Sequence, residues 1–265
     1  MDIAGYAASV FIGIALGLIG GGGSILTVPV LVYLFGVDTA LAIAYSLFIV
    51  GTTSAIGSFS YFTKKLIHIR TAIVFGIPSV IAVFLTRVYI LPVIPENVFR
   101  IGSLVVTKNT LLMLFFAVLM LAASYSMIKR CKDEDCLPAG ISTLSSVLII
   151  ALGIFAGIIT GLIGAGGGFL IIPALVNFLG LEFKKAVGTS LFIIALNSLF
   201  GFVISVTHYA TDWIFLFKIL ILTISGVLIG SYFSKIMDGK KLKPAFGWFV
   251  LMMGIYMILK ETTTN

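Results

Sequence analysis

Gly17-Leu18-Ile19-Gly20-Gly21-Gly22-Gly23-Ser24 interrupts a long apolar run near the start of the chain. Gly161-Leu162-Ile163-Gly164-Ala165-Gly166-Gly167-Gly168 interrupts another in its second half. Each block leads into a further apolar stretch, then a proline (Pro29, Pro173) and a glycine (Gly36, Gly180). Glycine inside a helix costs about 1 kcal/mol relative to alanine, so a cluster of it ends one helix before another begins. Two broken apolar helices at matching places of two half-chains point to the substrate site of a transporter.

The rest of the composition agrees. Of 265 residues, 60% are hydrophobic and 10% charged, and the mean hydropathy is +1.22. Soluble domains carry roughly 25% charged residues, so this chain has too few to clothe a globular surface. Its repeated long apolar runs read as transmembrane helices. Alternation of polar and apolar residues over strand-length segments is absent, which argues against an outer-membrane barrel. The expected fold is an all-α polytopic membrane protein of the cell membrane. Met1-Asp2-Ile3-Ala4-Gly5 lacks the basic start of a cleavable signal, so the first helix is expected to be retained.

A shift of 144 positions, which carries Gly17 onto Gly161, overlays the two halves. Leu26, Pro29, Leu31, Val32 and Gly36 fall on Leu170, Pro173, Leu175, Val176 and Gly180. Further on, Ala42, Ser46-Leu47-Phe48-Ile49 and Ser54 fall on Ala186, Ser190-Leu191-Phe192-Ile193 and Ser198. Apolar helices that resemble each other by chance do not align glycine, proline and serine together, so the chain is an internal duplication, 1–132 and 133–265. Each half reads as a Gly-broken segment plus three spans. In the first half these are 4–36, 40–62, 70–91 and 109–128; in the second, 142–180, 186–207, 213–234 and 244–260. The stretch 91–108, with Pro92 and Pro95, reads as a loop with a short surface helix.

Loop charge sets the orientation. The net charge is +7, and it falls in short loops between apolar runs, where it orients helices rather than binding nucleic acid. Lys64, Lys65 and Arg70, Lys129, Arg130 and Lys132, Lys184 and Lys185, and Lys235, Lys240, Lys241 and Lys243 all reach the cytoplasmic side in one arrangement. That arrangement puts the loop before Ser46 outside and the loop before Ser190 inside. The two halves are then inverted, which three net crossings per half allow if each Gly-broken segment is a hairpin that adds none.

A hairpin tip at membrane depth exposes backbone polar groups, and it is tolerated only inside protein or against a water-filled cavity. Two inverted tips, Gly20, Gly21, Gly22, Gly23 and Ser24 on one side and Gly164, Gly166, Gly167 and Gly168 on the other, are expected to approach each other near mid-membrane. Free N–H groups there favour a small oxyanion. The next helix of each half adds matched polar candidates: Ser46, Thr52, Thr53 and Ser54 in the first, Thr189, Ser190, Asn197 and Ser198 in the second. Pro29 and Pro173 are candidate hinges. Arg87 and Lys218 are candidates for an external electropositive vestibule.

Other features have plainer readings. The Gly-x-x-x-Gly spacings at Gly13 and Gly17, at Gly153, Gly157 and Gly161, and at Gly226 and Gly230 permit close helix packing. The Gly-rich blocks lack the Gly-Lys-Ser/Thr of a P-loop and the strand and acid of a dinucleotide fingerprint. Cys131 and Cys136 read as reduced thiols of a cytoplasmic loop. No metal or cofactor is expected. Asp38, Glu96, Glu182 and Asp212 fall at span ends, so coupling through a buried carboxylate is not indicated. The spans carry no visible nucleophile–base pair, so an intramembrane enzyme is disfavoured.

The two Gly-rich copies with their prolines, together with Gly188-Thr189-Ser190-Leu191-Phe192 and the polar Lys240-Lys241-Leu242-Lys243 before the last helix, resemble the TauE/SafE family of sulfite and organosulfonate permeases. The resemblance spans nearly the whole chain. It implies transport, in the export direction, of a small sulfur oxyanion such as sulfite, thiosulfate or a short organosulfonate. The implied partners are that anion and the lipid bilayer, with a homodimer left open. An anion channel with the same tips as its selectivity filter is the alternative. One departure stands out: the first copy has Tyr45-Ser46 where the second has Thr189-Ser190, so the two half-sites need not be equivalent.

Overall fold

A computed structural model describes residues 2–19, 21–95, 97–101, 104–128, 146–164, 166–206, 211–236 and 239–264. The 132/133 boundary between the halves, Cys131, Cys136 and Gly20 lie outside them. Helices α1 (Asp2–Ile19) and α2 (Gly22–Tyr33) flank the first Gly-rich block. They are followed by α3 (Thr39–Thr63) and by α4 (Ile69–Leu85), which continues through a π-helical turn (Thr86–Ile90) into the short α5 (Leu91–Val93). A two-stranded hairpin, β1 (Asn97–Ile101) and β2 (Leu104–Thr107), precedes α6 (Lys108–Ile128). In the second half α7 (Ser146–Ile163) and α8 (Gly168–Pro173) flank the second block, and α8 runs on as a π-helical turn (Ala174–Phe178). Then come α9 (Phe183–Val206), α10 (Trp213–Ile236) and α11 (Gly239–Thr264).

Four of these helical segments, Thr39–Thr63, Ile69–Val93, Phe183–Val206 and Trp213–Phe233, are long and apolar enough to cross a membrane. At 1.5 Å per residue, the 25 residues of α3 reach about 37 Å, beyond the ~30 Å hydrocarbon core. By the same measure the 12 residues of α2 reach only about 18 Å. Large hydrophobics such as Ile73, Ile77, Ile81, Phe217, Ile221 and Leu228 are exposed along α4 and α10, the pattern of lipid-facing surface.

The stretch 91–108, expected as a loop with a short surface helix, holds the short α5 and then two paired strands where a loop was expected. Asn97, Phe99, Arg100 and Ile101 pair antiparallel with Thr107, Val106, Val105 and Leu104. The cause is local: β-branched residues crowd both arms, Pro95 follows the end of the preceding helix, which Pro92 lies inside, and Gly102-Ser103 between the arms is a hairpin sequence. Only the three residues of α5 are helical beyond the π-turn.

The glycines reveal which helices touch and in which direction. Gly23 of α2 lies against Ile12 and Leu16 of α1, and Gly5 lies against Phe35, so α1 and α2 form an antiparallel hairpin. Gly13 packs on the carbonyl of Thr223, and Gly17 on that of Val227, so α1 and α10 run parallel. Gly157 packs on the carbonyl of Ser79 and Gly161 on Val83 and Thr86, so α7 and α4 run parallel too. The second set is the first moved by 144 positions. Gly-to-backbone contact brings these axes closer than any larger side chain permits.

At the centre α3 crosses α9. Gly201 sits beside Leu47, Gly51 beside Leu199, Gly57 beside Leu191 and Gly188 beside Tyr61, so this pair is antiparallel. The crossing is midway along both helices, at Thr53 and Asn197, which occupy the same place in the two halves. The turns after the broken segments also match: Val37 donates to Leu31 O and Leu181 to Leu175 O, both at 3.0 Å. Gly36 (φ 67°) and Gly180 (φ 65°) adopt the left-handed conformation those turns require.

Candidate substrate site at the Gly-rich tips

The two Gly-rich tips meet at this crossing. Gly21, at the N-terminus of α2, touches Gly168, the first residue of α8. A Cβ on Gly21 would lie 2.5 Å from the Gly168 carbonyl carbon, and one on Gly168 would lie 2.7 Å from Gly21 Cα. No side chain fits between them. Gly166 rests on Val50 and Ile194, which occupy the same position in the two halves, and on Ser198. It and Gly167 both have left-handed φ (66° and 67°), which a side chain would strain.

Gly23, Ser24, Gly164 and Gly167 are buried beside them. Gly164 packs on Ile43 and donates to Thr160 O at 2.9 Å. Gly167 lies against Thr160, Gly23 lies on α1, and Gly22 is the first residue of α2. Ser24 Oγ donates to Gly21 O at 2.7 Å, which holds the carbonyl of the tip. Pro29 lies inside α2, whereas Pro173 ends α8 where the backbone widens into its π-turn.

The matched polar residues of α3 and α9 divide by hydrogen bonding. Thr53 Oγ1 donates to Ile49 O (2.6 Å) and Ser190 Oγ to Val187 O (2.9 Å), the local bonding usual for hydroxyls within helices. Thr52 is half-buried. Asn197 Nδ2 donates to Ser79 Oγ at 2.7 Å and so ties α9 to α4. In contrast, Ser46 Oγ, Ser54 Oγ, Ser198 Oγ and Asn197 Oδ1 are buried and find no partner among the described residues. An unmatched buried polar atom costs about 1–3 kcal/mol, so such atoms are rare and mark water or ligand positions. Ser54 and Ser198 hold the same place in the two halves.

Thr189 bonds on two sides. Its Oγ1 donates to Lys185 O at 2.7 Å and accepts from the backbone N–H of His68 at 3.0 Å. The residue matched to Thr189 is Tyr45, and the residue matched to His68 is Asp212. The Asp212 N–H donates to Tyr45 Oη at 2.7 Å. The tyrosine that breaks the sequence match therefore makes the same bond with a longer arm. The sequence marks Tyr45 as a departure but carries no sign that Asp212 and His68 are the partners of Tyr45 and Thr189.

Arg87 lies in the π-turn of α4, 7% exposed, and its Nη1 donates to Ser205 Oγ of α9. It is the one buried charged side chain among the described residues. Lys218 is exposed on α10 beside Phe217 and Ile221.

With crossed helices and facing Gly tips in place, the chain can be set beside known proteins. Residues 6–257 match the family described as "Sulfite exporter TauE/SafE". The chain belongs to this family. It is 28% identical over 254 residues to a "Probable membrane transporter protein" of Xylella fastidiosa (strain 9a5c), covering 94% of this chain and 92% of that one. A "Probable membrane transporter protein YdhB" from Bacillus subtilis (strain 168) is 25% identical over 247 residues, covering 93% and 96% of the two chains. A third, from Methanocaldococcus jannaschii, is 26% identical over 262 residues, covering 94% and 92%. No solved structure matches the chain significantly. This TauE/SafE protein is a multi-pass membrane transporter, in a family whose members are described as transporters and not as enzymes.

Proposed function

We propose that this protein exports a small sulfur-containing anion, such as sulfite, thiosulfate or a short organosulfonate, by alternating access around its two Gly-rich tips. Two inverted repeats, 1–132 and 133–265, form the carrier. The observation that carries this reading is the Gly21–Gly168 contact at the antiparallel crossing of α3 and α9. Equivalent helices that cross antiparallel in one membrane belong to oppositely oriented halves. The parallel pairs α1 with α10 and α4 with α7 support a two-fold relation between the halves, because exchanging the halves turns one pair into the other.

The charge at the two ends supports the orientation. The His68–Thr189 bond joins the loop of Lys64, Lys65 and Arg70 to the start of α9, with Lys184 and Lys185. The other end carries Asp38 and Asp212. The basic end is cytoplasmic by the positive-inside rule.

An oxyanion at the crossing would take hydrogen bonds from Ser54 and Ser198 Oγ, with the Asn197 Nδ2 donor, which also bonds Ser79, beside Ser198 and with Ser46 further along α3. Neutral donors bind an anion without trapping it, as turnover requires. A negative cell interior drives export by about 2.3 kcal/mol per charge per 100 mV. Backbone contact between the tips favours a carrier over a channel, since a permeating ion needs them apart. The decisive test is proteoliposome flux of sulfite, thiosulfate, sulfoacetate, taurine and sulfate, with and without imposed voltage and pH gradients. Saturable flux with counter-transport of a sulfur anion is expected. Single-channel currents would overturn the carrier, and transport of none of these anions would overturn the substrate class.

A further inference from the structure

We infer that the two matched hydrogen bonds, Asp212 N–H to Tyr45 Oη and His68 N–H to Thr189 Oγ1, are the latches of the external and cytoplasmic gates. The inference rests on the inverted-repeat reading above. Each bond joins helices of different halves: α3 to the start of α10, and α9 to the start of α4. Each donor is the N-cap residue of its helix. His68 Nδ1 accepts from Thr71 N–H at 3.3 Å, and Asp212 Oδ1 accepts from Phe215 N–H at 3.1 Å. A residue that caps its own helix with its side chain and bonds the other half through its backbone couples that helix end to the opposing repeat. Just inside the latches, one residue along each helix, lie Ser46 and Ser190, both fully buried. Both latch bonds are formed in this structure.

The surroundings of the two latches differ. Tyr45 stacks near Phe215 (6.0 Å between centroids), which packs edge-on to Phe35 (5.2 Å). Phe48 beside it meets Phe202 (4.8 Å) and Trp213 (6.1 Å). At the other end the positions matched to Phe215, Phe202 and Trp213 are Thr71, Ser58 and Ile69. The external latch is backed by aromatic packing, which adds to the burial of each ring, whereas the cytoplasmic latch lacks these ring pairs and depends more on its hydrogen bond. Losing the Thr189 hydroxyl should therefore open its gate more than losing the Tyr45 hydroxyl opens the other.

The test reads accessibility rather than transport. In a background with Cys131→Ser and Cys136→Ser, single reporters Ser46→Cys and Ser190→Cys are labelled with a membrane-impermeant maleimide from each side of sealed, oriented vesicles. Thr189→Val should raise labelling of Ser190→Cys from the cytoplasmic side by about 2- to 10-fold, the range one net hydrogen bond supplies. Tyr45→Phe, which keeps the ring contacts, should raise labelling of Ser46→Cys from outside by a smaller factor. If both latch variants leave both reporters unchanged, the latches do not gate and the inference falls, while the repeat arrangement stands. If both reporters become labelled from the same side, the inverted arrangement itself falls. Tyr45→Leu and Thr189→Ser serve as controls: the first should open the external gate further, and the second should restore cytoplasmic protection by keeping the hydroxyl.

Discussion

Gly21 and Gly168 come from opposite halves of the chain, and their backbones are in contact at the crossing of α3 and α9. The two broken helices thus close on each other, and a substrate that passed between them would have to separate a pair of backbones that no side chain cushions. Alanine at either position would need a shift, because its Cβ would meet backbone atoms at 2.5–2.7 Å.

Valine at Gly166 should abolish flux while the protein still inserts. The left-handed backbone costs roughly 1–2 kcal/mol for a residue with a side chain. Its Cβ would also lie 2.9 Å from Val50 and 3.0 Å from both Ile194 and Ser198. Flux in proteoliposomes, alongside a monodisperse elution profile, measures this. Full activity in Gly166→Val would remove the tip from the pathway.

Alanine at Ser198 or Ser54 should move stability and transport in opposite directions. Each change deletes a buried hydroxyl that has no partner among the described residues, so the melting temperature should hold or rise. If the hydroxyl donates to the anion, the apparent KM should rise about 10-fold, the effect of one charge-assisted hydrogen bond. Ser190→Ala, whose hydroxyl is bonded to Val187 O, is the contrast and should change KM little. Equal KM values in all three variants would place the anion elsewhere.

Aspartate at Asn197 keeps the shape and adds an ionisable oxygen at the crossing. A negative charge beside Ser198 would repel an anionic substrate, so flux should fall. Proteoliposome flux of Asn197→Asp against the wild type, with elution profile as the check on folding, measures this. A variant that transports as well as the wild type would show that the anion does not pass Asn197.

Leucine at Gly13 or Gly157 should prevent folding instead of blocking turnover. These glycines lie against the carbonyls of Thr223 and Ser79, and a larger side chain would force the parallel pairs α1–α10 and α7–α4 apart. Overpacking of a tight interface costs typically about 1–3 kcal/mol, and here the clash is with backbone. Thermal melting and recovery from detergent extraction should drop for both variants, in contrast to Gly166→Val.

The sequence disclosed most of the helices because breaks and spans leave strong marks. Glycine runs ended α1 and α7, and the 25-residue apolar α3 was too long for anything but a span. The strands at 97–107 escaped because two short arms within a proline-bearing connection carry little periodicity, although Gly102-Ser103 between β-branched residues was a hairpin signal. At the site, the glycines and serines were found through the repeat, which registers position. Which hydroxyls were already bonded was not legible: Ser24 and Ser190 bond locally, whereas Ser46, Ser54 and Ser198 do not. That distinction depends on rotamers and neighbouring helices. The equivalence of Tyr45 and Thr189 was hidden for a similar reason, since a ring and a methyl-bearing carbon hold the same oxygen at different reach.

The crossing carries one further consequence. Asn197 reaches across to Ser79, whereas the matched pair, Thr53 and Thr223, each bond their own helix at Ile49 and Ile219. A pair of identical subunits would have to place the same side chain on both sides of that centre, asparagine against asparagine or threonine against threonine. Joining the two copies in one polypeptide lifts that restriction. The inner wall can then be stitched to α4 by a side-chain hydrogen bond at its centre on one side only.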